Sequence, residues 1–373
     1  MIPFNKPSLT GNEIKYIEEA VMNGKISGNG VFTSKCQSFL EQHFKFKKVL
    51  LTTSCTDALE MCAILADIQP DDEVIVPSYT FVSTALPFVR QGAKIVFADS
   101  RKDYPCIDED KIEALITSRT KAIVPVHYAG IACDMNKINA LAAKYNIKII
   151  EDAAQAIDSY YNGKPLGGLG DLSAFSFHET KNINSGEGGM VTINNEAYIK
   201  RAEIIWEKGT NRAEFFRGEI NKYGWVDIGS SFLPSEITAA FLWAQLENLD
   251  KIQTKRKQIW NYYYDNLKDW ANKNNVQLPF IPDFATNNGH MFYLVFENTG
   301  IRDKMISYLK ENGIISVTHY ISLHSSKFYA SKHDNRILEE SDRYTNTLLR
   351  LPLYYELSEN DLNKIVSTIL NFK

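Results

Sequence analysis

From about residue 47 to 195 the chain alternates short, near-continuous apolar runs with segments of helical periodicity. No other feature limits the fold as strongly. Strands that are apolar on both faces need cover on both faces, and helices between them supply it. The pattern therefore predicts a mostly parallel sheet within α/β layers. Expected strands are Lys48–Thr52, Glu73–Pro77, Lys94–Ala98, Ala122–Val126, Ile147–Ile150, Ala174–Phe177 and Met190–Ile193. Expected helices are Thr56–Ala66, Phe81–Gln91, Asp108–Thr117 and Met135–Tyr145. After about residue 235 the rhythm changes. A helical stretch runs from Ser235 to about Asn272, with a break or bend near Asp250. Met291–Phe296 and Ile314–Thr318 read as strands, Arg302–Asn312 and Asn360–Leu370 as helices. We expect two domains, 1–249 and 250–373, the second smaller and α+β.

Length and charge agree with this division. A chain of 373 residues exceeds one simple core. A net charge of −4 gives no reason to expect a nucleic-acid or anionic-membrane partner. Cys36, Cys55, Cys62, Cys106 and Cys133 are odd in number and lack CxxC spacing, which predicts free thiols and no metal centre. Met1–Lys6 has no basic-then-apolar signal pattern, and no apolar run approaches a membrane span. The expected location is the cytoplasm.

In open parallel sheets ligands bind beyond the carboxyl ends of the strands. The residues with chemistry stand at those ends. Ser176-Phe177-His178-Glu179-Thr180-Lys181 leaves one strand, followed by Gly186-Glu187-Gly188-Gly189, a backbone free to approach a ligand closely. Another strand ends in Glu151-Asp152-Ala153-Ala154-Gln155. A lysine and an acid meeting over one flat heterocycle suit pyridoxal phosphate. The amine forms a Schiff base with the aldehyde, and the carboxylate keeps the ring nitrogen protonated. A plain alternative exists for each: a solvated lysine for Lys181, a helix N-cap for Asp152, a polar helix residue for Gln155. On a helix, Gln155 would lie about one turn from Asp152, within reach of the ring hydroxyl.

Ser54-Cys55-Thr56 opens a helix, where free N–H groups and the dipole favour phosphate; Ser176 adds a hydroxyl. Phe81 or Tyr79 could stack on the ring, with core packing as the alternative. Gly163–Gly170 precedes a strand and not a helix, so it is read as a connection and not a dinucleotide loop. His127, His178, His319 and His324 lack zinc spacing. His319 and Tyr320 follow a small-domain strand and are candidates for a pocket wall. Substrate candidates are His178, Glu187, His319 and Tyr320, with Arg212, Arg217 and Lys222 in a polar stretch suited to a sugar diphosphate.

Together these residues resemble the DegT/DnrJ/EryC1/StrS sugar aminotransferase family. The match runs from Ile2-Pro3-Phe4 through Gly24–Gly30, Thr53–Leu59, Pro77–Phe81, Pro125–His127, Glu151–Gln155, Gly167–Lys181 and Gly186–Gly189 to His319-Tyr320. The resemblance implies the aspartate-aminotransferase type I fold, with a mostly parallel seven-stranded sheet in the large domain. It also implies a homodimer with active sites shared at the interface. It places Lys181 as Schiff-base lysine, Asp152 at the pyridine nitrogen, Gln155 near the ring and Phe81 on its face. Cys55, Thr56 and Ser176 fall at the phosphate. Many members carry Gly-x-Asn-x-Arg where this chain has Gly229-Ser230-Ser231-Phe232-Leu233. The asparagine usually reaches the partner's cofactor phosphate; Ser231 is shorter and would need a backbone shift or a water.

Within the family, Pro77–Thr84, Phe175–Asn182, Glu207–Arg212 and Asp227–Ser231 are most similar to the branch acting on dTDP-4-dehydro-6-deoxy-D-glucose. That branch looks to share the Ser231 departure. The similarity implies transfer of the L-glutamate amino group through pyridoxamine phosphate. The product would be dTDP-4-amino-4,6-dideoxy-D-galactose, for enterobacterial common antigen or O-antigen. The gluco epimer, a 3-amino product and a non-catalytic regulatory protein of the same fold stay open. Intact Lys181 and Asp152 argue against the last.

Overall fold

The computed structural model describes residues 1–372. Its strands are β1 (Lys48–Thr52), β2 (Glu73–Pro77), β3 (Lys94–Ala98), β4 (Thr120–Ile123) and β5 (Lys148–Asp152). They continue with β6 (Tyr160–Tyr161), β7 (Lys164–Pro165), β8 (Leu172–Ser176), β9 (Gly189–Ile193), β10 (Phe292–Val295) and β11 (Leu348–Leu351). Seven form one sheet in the order β1-β9-β8-β5-β4-β2-β3. β2 pairs in parallel with β3 and β4, β4 with β5, and β5 with β8. β9 alone runs against its neighbours β8 and β1.

Strand periodicity explains why this sheet lies at the centre. Successive side chains point to opposite faces. Val49, Leu51, Ile75, Ile149 and Phe175 therefore enter one hydrophobic cluster, with Phe32, Leu40 and Ile138 from the helices Val31–Phe44 and Met135–Tyr145. Leu50, Val74, Val76, Ile150 and Ala174 enter the other, with Leu59 and Cys62 from Cys55–Leu65 and Ile205 from Ile199–Trp206. Both faces are dry, as the near-continuous apolar strands predict.

A third cluster forms around the antiparallel pair β10–β11. The helix Leu249–Lys273 joins it to the rest. Leu249 and Ile252 belong to the first core, whereas Ile259, Trp260 and Leu267 belong to the third. A second helix, Glu236–Leu246, precedes it, and the chain breaks between them at Glu247–Asn248. Ile2 also packs in the third cluster, and its N–H donates to the Gly313 carbonyl at 2.7 Å.

Two expected elements are absent among the described residues. Asp108–Thr117 is two short 3₁₀ turns, Glu109–Lys111 and Glu113–Leu115, and not one helix. Glu109 is buried and tied by its carboxylate to the Asp134 N–H at 2.6 Å and to Arg101 at 3.0 Å, which anchors the segment turn by turn. Ile314–Thr318 is not a strand. Ile314 bridges to Ile2 and Val317 to Arg350, so neighbouring residues find different partners and no ladder extends. No helix among the described residues is long and apolar enough to cross a membrane.

Candidate active site

The carboxyl ends of β1, β2, β5 and β8 open onto a cavity of about 560 Å³. Lys181 enters it from the loop between β8 and β9. That loop is held as a tight hairpin: Phe177 N–H donates to Gly188 O, Glu179 N–H to Gly186 O, and Lys181 N–H to His178 O, each at 2.8 Å. Gly186 turns with φ +78°. Gly189 is needed for a different reason. A Cβ there would stand 2.5 Å from the Ser54 carbonyl carbon and 2.6 Å from the Cys55 nitrogen. Only glycine lets β9 pass against the helix start that forms the opposite wall.

Lys181 Nζ has no hydrogen bond or ion pair to another described residue. By surface area the residue is half-buried, yet protein encloses it, and desolvation is the largest influence on its ammonium. Its proton affinity is held below the ordinary lysine value, mainly by that burial and further by the Arg350 charge; Cys55 and Asp152 oppose the shift. Asp152 ends β5, buried. Its Oδ2 accepts from Thr84 Oγ1 at 2.7 Å and its Oδ1 from the Ala154 N–H at 3.1 Å. Burial raises its pKa, against the pull of those two donors and of Lys181. A base kept short of protons and an acid held by few bonds thus face one cavity.

The wall opposite Gly189 is built at the start of the helix Cys55–Leu65. Ser54 caps it, its Oγ accepting from the Asp57 N–H at 3.1 Å. The Cys55 and Thr56 N–H groups, one step earlier, have no partner among the described residues, and both residues line the cavity with Ser176. Thr56 Oγ1 is fixed by Ser83 Oγ at 2.8 Å. Burial pushes the Cys55 thiol well up, so it stays protonated.

Gln155 lines the cavity, but no helix carries it; Ala153–Asp158 is a series of turns. Its Oε1 accepts from the Ala129 N–H at 2.6 Å, and its Nε2 donates to the Tyr320 hydroxyl at 3.0 Å. Asp152 is accordingly a strand end and not a helix N-cap. Tyr320 sits at φ +48° with its ring stacked on His319, centroids 3.5 Å apart. An aromatic residue in the left-handed region is held there by its surroundings, as functional walls often are.

Phe81 and Tyr79 separate cleanly. Tyr79 is fully buried, its hydroxyl donating to the His319 carbonyl, and belongs to the core. Phe81 lines the cavity while 55% exposed, a bare ring face at the mouth. His178, Glu187, His319 and Tyr320 all line the cavity. Ser231, Arg212, Arg217 and Lys222 do not. Ser231 is exposed and bridged to Glu207, and Lys222 is exposed. Arg212 lies over the Phe216 ring, and Arg217 is paired with Glu203 and Glu219.

Several cavity residues escape the sequence reading. Phe4 and Asn5 arrive from the N-terminal segment, His290 and Arg350 from the third core's side. His290 Nδ1 meets Asn182 Oδ1 at 2.8 Å, next to Lys181. Arg350 lies in an apolar strand, and a lone cation in such a run is the signal that could have marked it.

A family model for the DegT/DnrJ/EryC1/StrS aminotransferases matches residues 7–370. The spore coat polysaccharide biosynthesis protein SpsC of Bacillus subtilis is 31% identical over 99% of this chain and 96% of its own. Among solved structures, the Streptococcus pneumoniae protein Spr1654, described as a sugar aminotransferase and solved in its PMP form, superposes with TM-score 0.91. It is 25% identical over 99% of this chain and 98% of its own. DesV of S. venezuelae, solved with a ketimine intermediate, gives TM-score 0.90 and 26% identity over 99% and 97%. The hairpin lysine, the strand-end aspartate and the whole-length matches agree: this chain belongs to the DegT/DnrJ/EryC1/StrS aminotransferase family.

Proposed function

We propose that this chain transfers the amino group of L-glutamate to the C4 keto group of dTDP-4-dehydro-6-deoxy-D-glucose. The products are dTDP-4-amino-4,6-dideoxy-D-galactose and 2-oxoglutarate, made in the cytoplasm for a cell-surface glycan such as enterobacterial common antigen or O-antigen. Membership of the family supplies the coarser statement, a pyridoxal phosphate-dependent sugar aminotransferase with pyridoxamine phosphate as the alternate form. The observation that carries the reading is one cavity holding Lys181 opposite a buried Asp152, with two unpartnered N–H groups at a helix start. The named substrate rests on the resemblance of Pro77–Thr84, Phe175–Asn182 and Glu207–Arg212 to one branch.

The residues fit the cofactor. The Cys55 and Thr56 N–H groups, with Ser54, Thr56 and Ser176, would hold its phosphate; Asp152 would keep the ring nitrogen protonated, with Phe81 and Gln155 beside the ring. Bound there, pyridoxal phosphate supplies an electron sink and a carrier for the amino group. Thr84 and the Ala154 N–H fix the carboxylate so that it meets the ring nitrogen without reorganising. The Lys181 amine, poor in protons through burial, takes the proton from the donor Cα and later delivers one to the sugar C4. A base so placed is worth ~10²–10⁴ in rate. The face from which Lys181 delivers decides the epimer.

Ser231, Arg212, Arg217 and Lys222 serve the partner's site in a homodimer. Their neighbours Trp225, Val226 and Ile228 are exposed apolar side chains, which suit such a contact. Incubation with L-glutamate and dTDP-4-dehydro-6-deoxyglucose tests the whole, the C4 configuration being read from proton couplings. An equatorial amine or a C3 amine would replace the named product. No amination of any keto sugar nucleotide would overturn the reading.

A further inference from the structure

His290 lines the cavity, buried, at the entrance to β10. Its ring ends a buried chain of amides in which each member fixes the direction of the next. Lys257 holds Asp158 Oδ2 at 2.7 Å. Gln253, on the helix Leu249–Lys273, donates from Nε2 to the same Oδ2 at 3.2 Å and to the Asn288 carbonyl at 3.3 Å. Its Oε1 therefore faces Asn182, whose Nδ2 donates to it and to the Asn288 carbonyl, each at 2.9 Å. Asn182 is left with Oδ1 toward His290, and an amide oxygen only accepts. The ring hydrogen is accordingly on Nδ1, which donates to Asn182 at 2.8 Å. Nε2 keeps a bare lone pair and has no partner among the described residues.

The imidazole stays neutral at neutral pH. Burial holds its proton affinity well below the ordinary histidine value, and the Lys181, Arg256 and Arg350 charges push it further down. Lys181 is the chain neighbour of Asn182 and borders the same cavity, with N–H groups and no partner among the described residues. A donor without an acceptor and an acceptor without a donor thus share one enclosed space, where buried polar groups are ordinarily paired. The Lys181 amine needs two things when it is free: a fixed direction, and a lone pair left open for a proton. A carboxylate partner would hold it as ammonium. A neutral imidazole that does not take the proton orients one N–H and leaves the amine lone pair open.

We propose that His290 is a positioning residue for Lys181: its Nε2 accepts a hydrogen bond from the Lys181 amine whenever that amine is not bonded to the cofactor, and so turns the amine lone pair toward the substrate carbon. The inference rests on the aminotransferase reading above. Asp158, Gln253 and Asn182 fix the tautomer on which this depends. They also tie the hairpin of Lys181 to the helix that joins the first and third cores.

The test is long-range proton–nitrogen NMR of the full chain, labelled at histidine, in its pyridoxamine phosphate form. Native His290 should carry its hydrogen on Nδ1, with the Nε2 resonance displaced from the bare-imidazole position to the lower frequency of a hydrogen-bond acceptor. Lys181→Met in the same form should return Nε2 to the bare position. His290→Leu should lower the rate constants of both half-reactions together, roughly 10- to 100-fold, because Lys181 serves both. Binding of 2-oxoglutarate and of the keto sugar nucleotide should change less than about 3-fold. His290→Gln, which donates to Asn182 and accepts from Lys181, should recover most of the rate. A hydrogen on Nε2, an Nε2 resonance indifferent to Lys181→Met, a loss confined to one half-reaction, or a loss residing in ligand binding would each overturn the proposal. A native enzyme that shows the Nε2 displacement and aminates no keto sugar nucleotide would instead defeat the aminotransferase reading and leave the pairing standing.

Discussion

Two carboxylates sit side by side at the end of β5 and have opposite fates. Glu151 points to one face of the sheet and is fully occupied. It meets His127 Nε2 at 2.9 Å and accepts from the N–H groups of Gly167, Leu169 and Gly170 at 2.6–2.8 Å. The Cys133 N–H donates into His127 Nδ1 at 3.3 Å, which leaves the ring hydrogen on Nε2, aimed at Glu151. Asp152 points to the other face and has only Thr84 and Ala154. The strand period of two makes this division. An acid whose bonding capacity is filled by its own chain stabilises the fold. An acid left short of partners, opposite a lysine left short of protons, is available for chemistry.

The comparison can be broken at four points. Lys181→Ala should lower turnover by ~10²–10⁴-fold or more and remove the absorbance of the lysine-bound cofactor; retention of both would sink the assignment. Asp152→Asn keeps the shape and removes the charge, and should cost roughly 10²–10³ in kcat. Its stability should move the other way. Burial raises the Asp152 pKa, so the native state binds that proton more readily than the unfolded chain does, and the ionised carboxylate costs stability above its folded pKa. Cofactor-free Asp152→Asn should therefore melt no lower than the native chain at neutral pH. Any advantage should vanish as pH falls through the ordinary carboxylate range.

Glu151→Gln should show the reverse pattern. It leaves N–H donors and His127 underserved and should lose about 2–4 kcal/mol in denaturant titration, with little change in the kcat of folded enzyme. A catalytic loss as large as that of Asp152→Asn would erase the distinction. The smallest effect belongs to Thr84→Val. Loss of the hydroxyl removes a bond that lowers the Asp152 pKa, so the acid limb of the pH–rate profile should move to higher pH. The rate at its plateau should fall about 10-fold or less.

The sequence made some of this contrast legible and hid the rest. Lys181 and Asp152 are readable because each lies within a few residues of an apolar strand, and strand ends of parallel sheets converge. Gln155 is readable as a residue near the acid, although turns and not a helix bring it there. Glu151 was not separable from Asp152 as a structural acid, since its donors come from the Gly163–Gly170 connection, whose path only the fold reveals. Arg350 was hidden by its distance along the chain from Lys181 and Asp152. Arg212, Arg217 and Lys222 drew attention through local polarity, which does not report which cavity, or which subunit, a loop faces. The helix expected over Asp108–Thr117 failed because Glu109 is captured by Asp134 and Arg101, a tertiary override of local periodicity.

The wall shared by Phe4 and Arg350 has a consequence for synthesis. Its two sides come from near the opposite ends of the chain, and the same N-terminal segment is pinned by the Ile2 N–H to Gly313. A chain still emerging from the ribosome can pair β1, β9 and β8 and so present Lys181, but the chamber around it closes only when β11 has been made. Any molecule that meets Lys181 before then meets it in an open cleft and not in an enclosed chamber.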